Sequence, residues 1–212
     1  MINQFYFSIK VQPEQIDYAL SLVEFSLKHH PVSNIWDSTK KDQTKSLRTT
    51  GTIGEVVFAD THKLARPSRS FGAIDGQDYG KDFEMIIRGE KMNFDVKTMH
   101  RKSNVFYKNY VLNIPARNIS RSDSITDYYY CISLHPEGKD TIASMIGYLK
   151  KQDILDGKIG ILYKKGSERI RKDGTSFTFF EDTYEVFFEN ITSPFVSERI
   201  KSFEGFKILE LR

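Results

Sequence analysis

Residues 82–98, DFEMIIRGEKMNFDVKT, alternate with a period of two on both sides of a short polar interruption. Over 82–87, Asp82, Glu84 and Ile86 alternate with Phe83, Met85 and Ile87; over 93–98, Asn93, Asp95 and Lys97 alternate with Phe94, Val96 and Thr98. The pattern predicts two strands, with Arg88, Gly89, Glu90 and Lys91 turning the chain between them. In an antiparallel hairpin the start of the first arm faces the end of the second, which places Asp82 beside Asp95 and Lys97. Two carboxylates and an ammonium group are therefore expected at one end of a sheet.

Such a grouping suits a hard cation. Magnesium is commonly held by one or two carboxylates, with water and phosphate filling its other positions. A lysine two residues from a ligand shares its face of the strand and can reach a water or a phosphate oxygen. The matching chemistry is phosphodiester hydrolysis, in which the ion polarises the phosphoryl group and activates water. The bland reading is an exposed hairpin face with an ordinary cross-strand Asp/Lys pair, since Asp-x-Lys is a common tripeptide.

Upstream, a helix is predicted from about Thr44 to Leu64, with Gly51, Glu55 and Ala59 four apart on one face. Glycine costs about 1 kcal/mol in a helix interior, so Gly51 and Gly54 together indicate close packing or close substrate approach around Glu55. Asp75 and Asp78, in the loop-like stretch from His62 to Lys81, compete with Asp82 as the first acid. Asp82 is preferred because it shares a strand face with Asp95 and Lys97.

These residues resemble the PD-(D/E)XK nuclease superfamily of phage and bacterial type. Its signature is an acid at one strand, a short hairpin, then an acid, any residue and a lysine on the next strand. Asp82 matches the first acid, preceded by Lys81 where proline often stands, and Asp95-Val96-Lys97 matches the second element. Residues 54–59, GEVVFA, look like the helix that carries a further acid, here Glu55. Residues 127–134 and 142–149 look like the core strands that follow, so the likeness covers about 44–165.

The resemblance implies an α/β (α+β) restriction-endonuclease-like fold, with a central mixed β-sheet flanked by helices. It implies a DNA endonuclease using Mg²⁺, with Mn²⁺ as a substitute. The ligands would be Asp82, Asp95, the Val96 carbonyl and Glu55, and Lys97 would orient or deprotonate the attacking water. A homodimer would suit cutting of both strands. The competing expectation is a nucleic-acid-binding module that keeps the fold without cleavage, and a third is a purely structural protein. Restriction, repair, recombination and junction cleavage all use such a scaffold, so the biological role stays open.

The rest of the chain sets wider bounds. Its 212 residues are enough for one domain with a real core. One nuclease-like domain is expected over 1–212, with an N-terminal strand and helix over 1–36 and C-terminal strands over 166–212. A hydrophobic share of 39% and a charged share of 28% fit a soluble globular chain, and a net charge of +3 leaves the question of partners to how the charges are placed. No apolar run reaches membrane-spanning length, and MINQFYFSIK lacks a secretory pattern, so no membrane partner and a cytoplasmic location are expected. Cys131 has no second cysteine for a disulfide or a zinc site.

Phosphate-binding cations are expected at Lys40, Lys41, Lys45 and Arg48, at Lys63, Arg66 and Arg69, and at His100, Arg101, Lys102 and Lys108. The last group is interleaved with Phe106, Tyr107 and Tyr110 in a stretch from His100 to Arg121 that holds no acid. Cations for phosphates and aromatics for bases would occur together in this way in a nucleic-acid groove.

Overall fold

The computed structural model describes residues 4–29, 38–68, 82–87, 89–122, 124–170, 174 and 176–212. Trp36, Arg69, Asp75 and Asp78 lie outside the described residues, as do the side chains of Lys40 and Lys41.

The chain opens with strand β1 (Phe5–Lys10) and helix α1 (Pro13–His29). Proline at the first helical position fits because the N–H it lacks would have had no helical partner. Helix α2 (Ser38–His62) begins upstream of the predicted Thr44. Next come strands β2 (Phe83–Ile87) and β3 (Glu90–His100), paired antiparallel with Phe83 opposite Phe94 and Ile87 opposite Glu90. The turn is therefore tighter than the sequence suggests. Gly89, at φ 83°, takes the left-handed conformation that glycine adopts without strain, and Glu90 and Lys91 are already in β3.

Beyond the hairpin lie β4 (Val111–Pro115), α3 (Ala116–Ser120), β5 (Tyr128–Glu137), β6 (Asp140–Lys150) and α4 (Lys151–Leu155). The chain then forms β7 (Ile161–Tyr163), β8 (Glu168–Ile170), β9 (Ser176–Thr178), β10 (Thr183–Phe187), α5 (Glu198–Lys201) and β11 (Lys207–Glu210). The central six-stranded sheet has the order β11-β1-β6-β5-β3-β2, and it is mixed because β3 runs parallel to β5 while its other neighbours pair antiparallel. A three-stranded sheet, β4-β10-β7, and a two-stranded ribbon, β8-β9, complete the described strands.

Alternation sends the two faces of the central sheet into two cores. Phe7, Ile9, Phe94, Val96, Tyr130 and Ile132 pack against Ala19 of α1 and Val56, Val57 and Phe58 of α2. From the opposite face Tyr6, Tyr129, Cys131 and Leu149 pack against Leu112 and Ile114 of β4 and Val186 of β10. The chain is thus a mixed α/β structure around a mixed central sheet. Long helices cover one face, while the small sheet, with the short α3 and α4, covers much of the other.

Two glycines explain how closely the elements meet. A Cβ at Gly54 would overlap the side chain of Thr98, so α2 lies directly on β3 at that point, while a Cβ at Gly51 would meet nothing within 4 Å. Close packing accounts for Gly54 alone, which corrects the paired expectation. In β6, Ile146 is an extra residue, because Cys131 pairs with Gly147 and the next pair is Ile132 with Met145. Gly147, at φ 134°, admits the carbonyl of Thr192 where a side chain would stand. We expect Gly54→Val to cost about 1–3 kcal/mol by overpacking and Gly51→Ala to stabilise by about 0.5–1 kcal/mol, measured as opposite shifts of the urea midpoint.

Candidate functional site

The site is built where β2 begins and β3 carries on alone. The Asp82 N–H donates to the Phe94 carbonyl at 2.8 Å, and one step further the Val96 N–H donates to Asp82 Oδ2 at 2.6 Å. The side chain supplies the acceptor that the ladder no longer provides, because a strand N–H near the core must find a partner. This bond holds the Asp82 carboxylate in the plane of the sheet, at its edge.

Asp95 lies nearly buried, at 6% exposure, and its Oδ1 is 2.7 Å from Lys97 Nζ. Both leave β3 on the face of Tyr129, the register partner of Asp95. The Lys97 ammonium stands 5.8 Å from the centre of the Tyr129 ring. Glu55 comes from the other side, since α2 packs on the face that carries Phe94 and Val96. Asp82 is the common neighbour. Its carboxyl is held well above the ordinary carboxylate range, first by burial and then by the charges of Glu55 and Asp95; the Val96 N–H and the charge of Lys97 act in the opposite direction. Of the four residues, Lys97 touches Asp95, while Glu55 and Asp95 act on the Asp82 carboxyl through their charge.

Sequence reasoning missed Lys151. This lysine opens α4 and is only 9% exposed, and its backbone N–H donates to the Asp127 carbonyl at 2.9 Å. Burial lowers its pKa, while the charges of Asp127 and Asp95 oppose that shift. Lys151 is thus a second cation in the field of Asp95. Its signal was weak: the second of two lysines after the apolar run IASMIGYL, where a solvated end is the usual reading. Tyr129 borders the same space, with its phenol pushed up by burial and by Asp95 and its hydroxyl donating to the Asn118 carbonyl at 3.0 Å.

The expected phosphate-binding cations divide into open and engaged groups. Lys45, Lys63, His100, Lys102 and Lys108 are exposed. Lys45 and His100 line one cavity of about 420 Å³ between α2 and the end of β3, beside Thr49, Thr50 and His135. Arg48 donates to Ser26 Oγ at 3.0 Å. Arg66 is gripped by Asp60 through two bonds of 2.7 and 2.6 Å and packs on Tyr18. Arg101 also differs from expectation. It donates to the Val111 carbonyl at 2.9 Å and stacks 4.7 Å from the Tyr110 ring.

Among the described residues, no group of three or more His, Cys, Asp and Glu side chains is placed to hold a metal ion. Carboxylate oxygens are nonetheless the donor type a hard cation takes, and the charges of Glu55 and Asp95, which add to burial in raising the Asp82 pKa, are what a divalent ion would offset. No family model, no curated protein and no solved structure matches this chain.

The Asp82 shift has a testable sign. The folded chain holds this proton more tightly than the unfolded chain, where a carboxyl titrates near about 3.9. The stability it contributes is therefore fully present below that pH and is lost as pH rises through the folded-state value. Asp82→Asn keeps an oxygen for the Val96 N–H and removes the like charge. We expect it to unfold at a higher urea concentration than the parent at neutral pH, with the difference shrinking in acid, as followed by urea titrations across that range.

Proposed function

We propose that this chain is a metal-dependent deoxyribonuclease of restriction-endonuclease-like fold, hydrolysing phosphodiester bonds at the edge where Asp82 lies. One observation carries the reading: the buried edge carboxyl of Asp82 feels the charges of both Glu55 and Asp95, with Lys97 paired to Asp95. A fold gains little from gathering like charges in partly desolvated positions, whereas a phosphoryl-transfer site uses them.

When bound, a divalent ion would supply Lewis-acid polarisation of the phosphoryl group. Asp82 and Asp95 would hold it, with Glu55 and the Val96 carbonyl completing the set directly or through water. Lys97, fixed by its bond to Asp95, would present its ammonium to the attacking water or to a phosphate oxygen. Lys151, in the field of Asp95 from the neighbouring element, would add positive charge on the same side as the reacting phosphate. The exposed Lys45, His100, Lys102 and Lys108 would take phosphates further along a DNA strand, and two copies would be needed to cut both strands in one encounter.

The second reading, a nucleic-acid-binding module without cleavage, is favoured by the 2.7 Å ion pair, which gives Asp95 a cation without any metal. Cleavage assays separate the two. Supercoiled plasmid and single-stranded, branched and linear DNA incubated with the protein in Mg²⁺ or Mn²⁺ are expected to be nicked or cut, and EDTA should abolish this. Lys97→Ala and Asp95→Ala should each reduce the rate at least about 100-fold while remaining folded. Unchanged cutting by Asp95→Ala would move the site elsewhere, and inactivity of the parent on every substrate would favour the binding module.

A further inference from the structure

A separate cavity of about 1080 Å³ lies between the end of β3, the outer face of the small sheet and the ribbon β8-β9. Its depth is set by Glu185. Alternation in β10 sends Val186 into the core and turns Glu185 and Phe187 the other way, and Glu185 stands opposite Asn113 of β4 and Ile161 of β7. Arg169 reaches over from β8 and donates to Glu185 Oε1 at 2.6 Å. The carboxylate is 2% exposed, yet its second oxygen, Oε2, has no hydrogen-bond partner.

Leaving a buried carboxylate oxygen unsatisfied is costly, and such groups call for an explanation. Burial also pushes this carboxyl above its ordinary range, against the pull of Arg169. Arg101 borders the same cavity and presents the complementary defect, an Nε N–H that is buried and without a partner. One unmet anionic acceptor and one unmet cationic donor therefore line a single space. Its other walls include Tyr107, Tyr110 and Phe177, and Tyr107 is 42% exposed. Flat rings of this kind give a planar ligand surfaces to stack on.

The cavity also has a defined relation to the proposed cleavage site. Met99, in its wall, lies two residues along β3 from Lys97 on the same face, and a strand advances about 3.3 Å per residue. The near wall of the cavity is thus about 7 Å from Lys97 along the strand, so that one nucleic-acid chain could run past both.

We propose that this cavity is a base-specific pocket for an unpaired guanine, with Glu185 as the residue that reads it. Guanine alone among the DNA bases offers two adjacent N–H donors, N1–H and the 2-amino group, beside a carbonyl acceptor on its Watson–Crick edge. The donors meet the Glu185 carboxylate, whose oxygens have lone pairs to spare beyond the Arg169 bond, and O6 meets the Arg101 guanidinium. The proposal rests on the nucleic-acid reading above and is independent of cleavage.

The test measures binding in EDTA, where no cutting intervenes. Fluorescence anisotropy with labelled oligothymidylates carrying one central dG, dA, dC or deoxyinosine gives the base preference directly. The dG oligonucleotide is expected to bind about 10-fold more tightly than the dA one, in the range of a single good base contact. Deoxyinosine, which lacks the 2-amino group, should lose most of that advantage against the unaltered protein, so the result does not depend on any variant folding. Glu185→Gln should erase the dG preference and leave affinity for plain oligothymidylate unchanged. Equal binding of all four oligonucleotides, or a dG preference that survives in a folded Glu185→Gln protein, would overturn the proposal. Base-blind binding would leave the nuclease reading standing, whereas absence of binding to any oligonucleotide would remove both.

Discussion

The arrangement at the candidate site depends on one hydrogen bond, from the Val96 N–H to the Asp82 carboxylate. Strand β2 is the outermost strand of the sheet and begins at Phe83, so the next free N–H of β3 would otherwise face the desolvated margin of the core. Asp82 answers that need, and in doing so it is pinned at the border between the two faces. From there it senses Glu55 on the helical side and Asp95 on the side of Tyr129. Hydrogen bonding to the ionised form favours charge, whereas burial and two like neighbours oppose it, and the opposing effects win. The result is a carboxyl that is geometrically fixed and electrostatically frustrated.

The two faces of the central sheet divide the labour. The helical face is dry and aromatic: Phe58 sits 5.1 Å from Phe83 and 4.8 Å from Tyr130, ring centre to ring centre. His62 is drawn into the same cluster and its pKa falls to about 4 by burial and by the charge of Arg199, so it is a packing group and not a general base near neutral pH. The other face combines apolar packing with charge, with Lys151 in the field of Asp95 at its margin.

What could be read from the sequence follows the range of the interactions concerned. The hairpin, β1, α1, β5 and β6 announce themselves because two-residue or helical periodicity is a local property of the chain. The juxtaposition of Asp82 with Asp95 and Lys97 was legible for the same reason, since hairpin register is nearly local. β4 was hidden inside a run of cations and aromatics because it is five residues long and owes its existence to β10, a partner more than sixty positions away. The pairing of Arg66 with Asp60 was not legible although Asp60 lies only six residues upstream, because the helix end that brings them together has no periodic signature. Lys151 escaped notice because its nearness to Asp95 passes through the pairing of β6 with β5 and of β5 with β3, and no short window contains both.

One residue of β6 stands outside that pairing. Met145 faces the helical core and Ile146 the opposite one, and strict alternation would then send Tyr148 away from the helices and Leu149 towards them. Because Ile146 is skipped in the pairing, Tyr148 instead joins the helical core beside Tyr130, and Leu149 joins the core of Tyr129. Parity is thus reset midway along the strand, by one residue and one glycine. Without Ile146, Met145, Gly147 and Tyr148 would follow one another in plain alternation with every face unchanged, so the extra residue is a bulge that lends the core of Tyr129 one more side chain and leaves the inside and outside of the strand as they are.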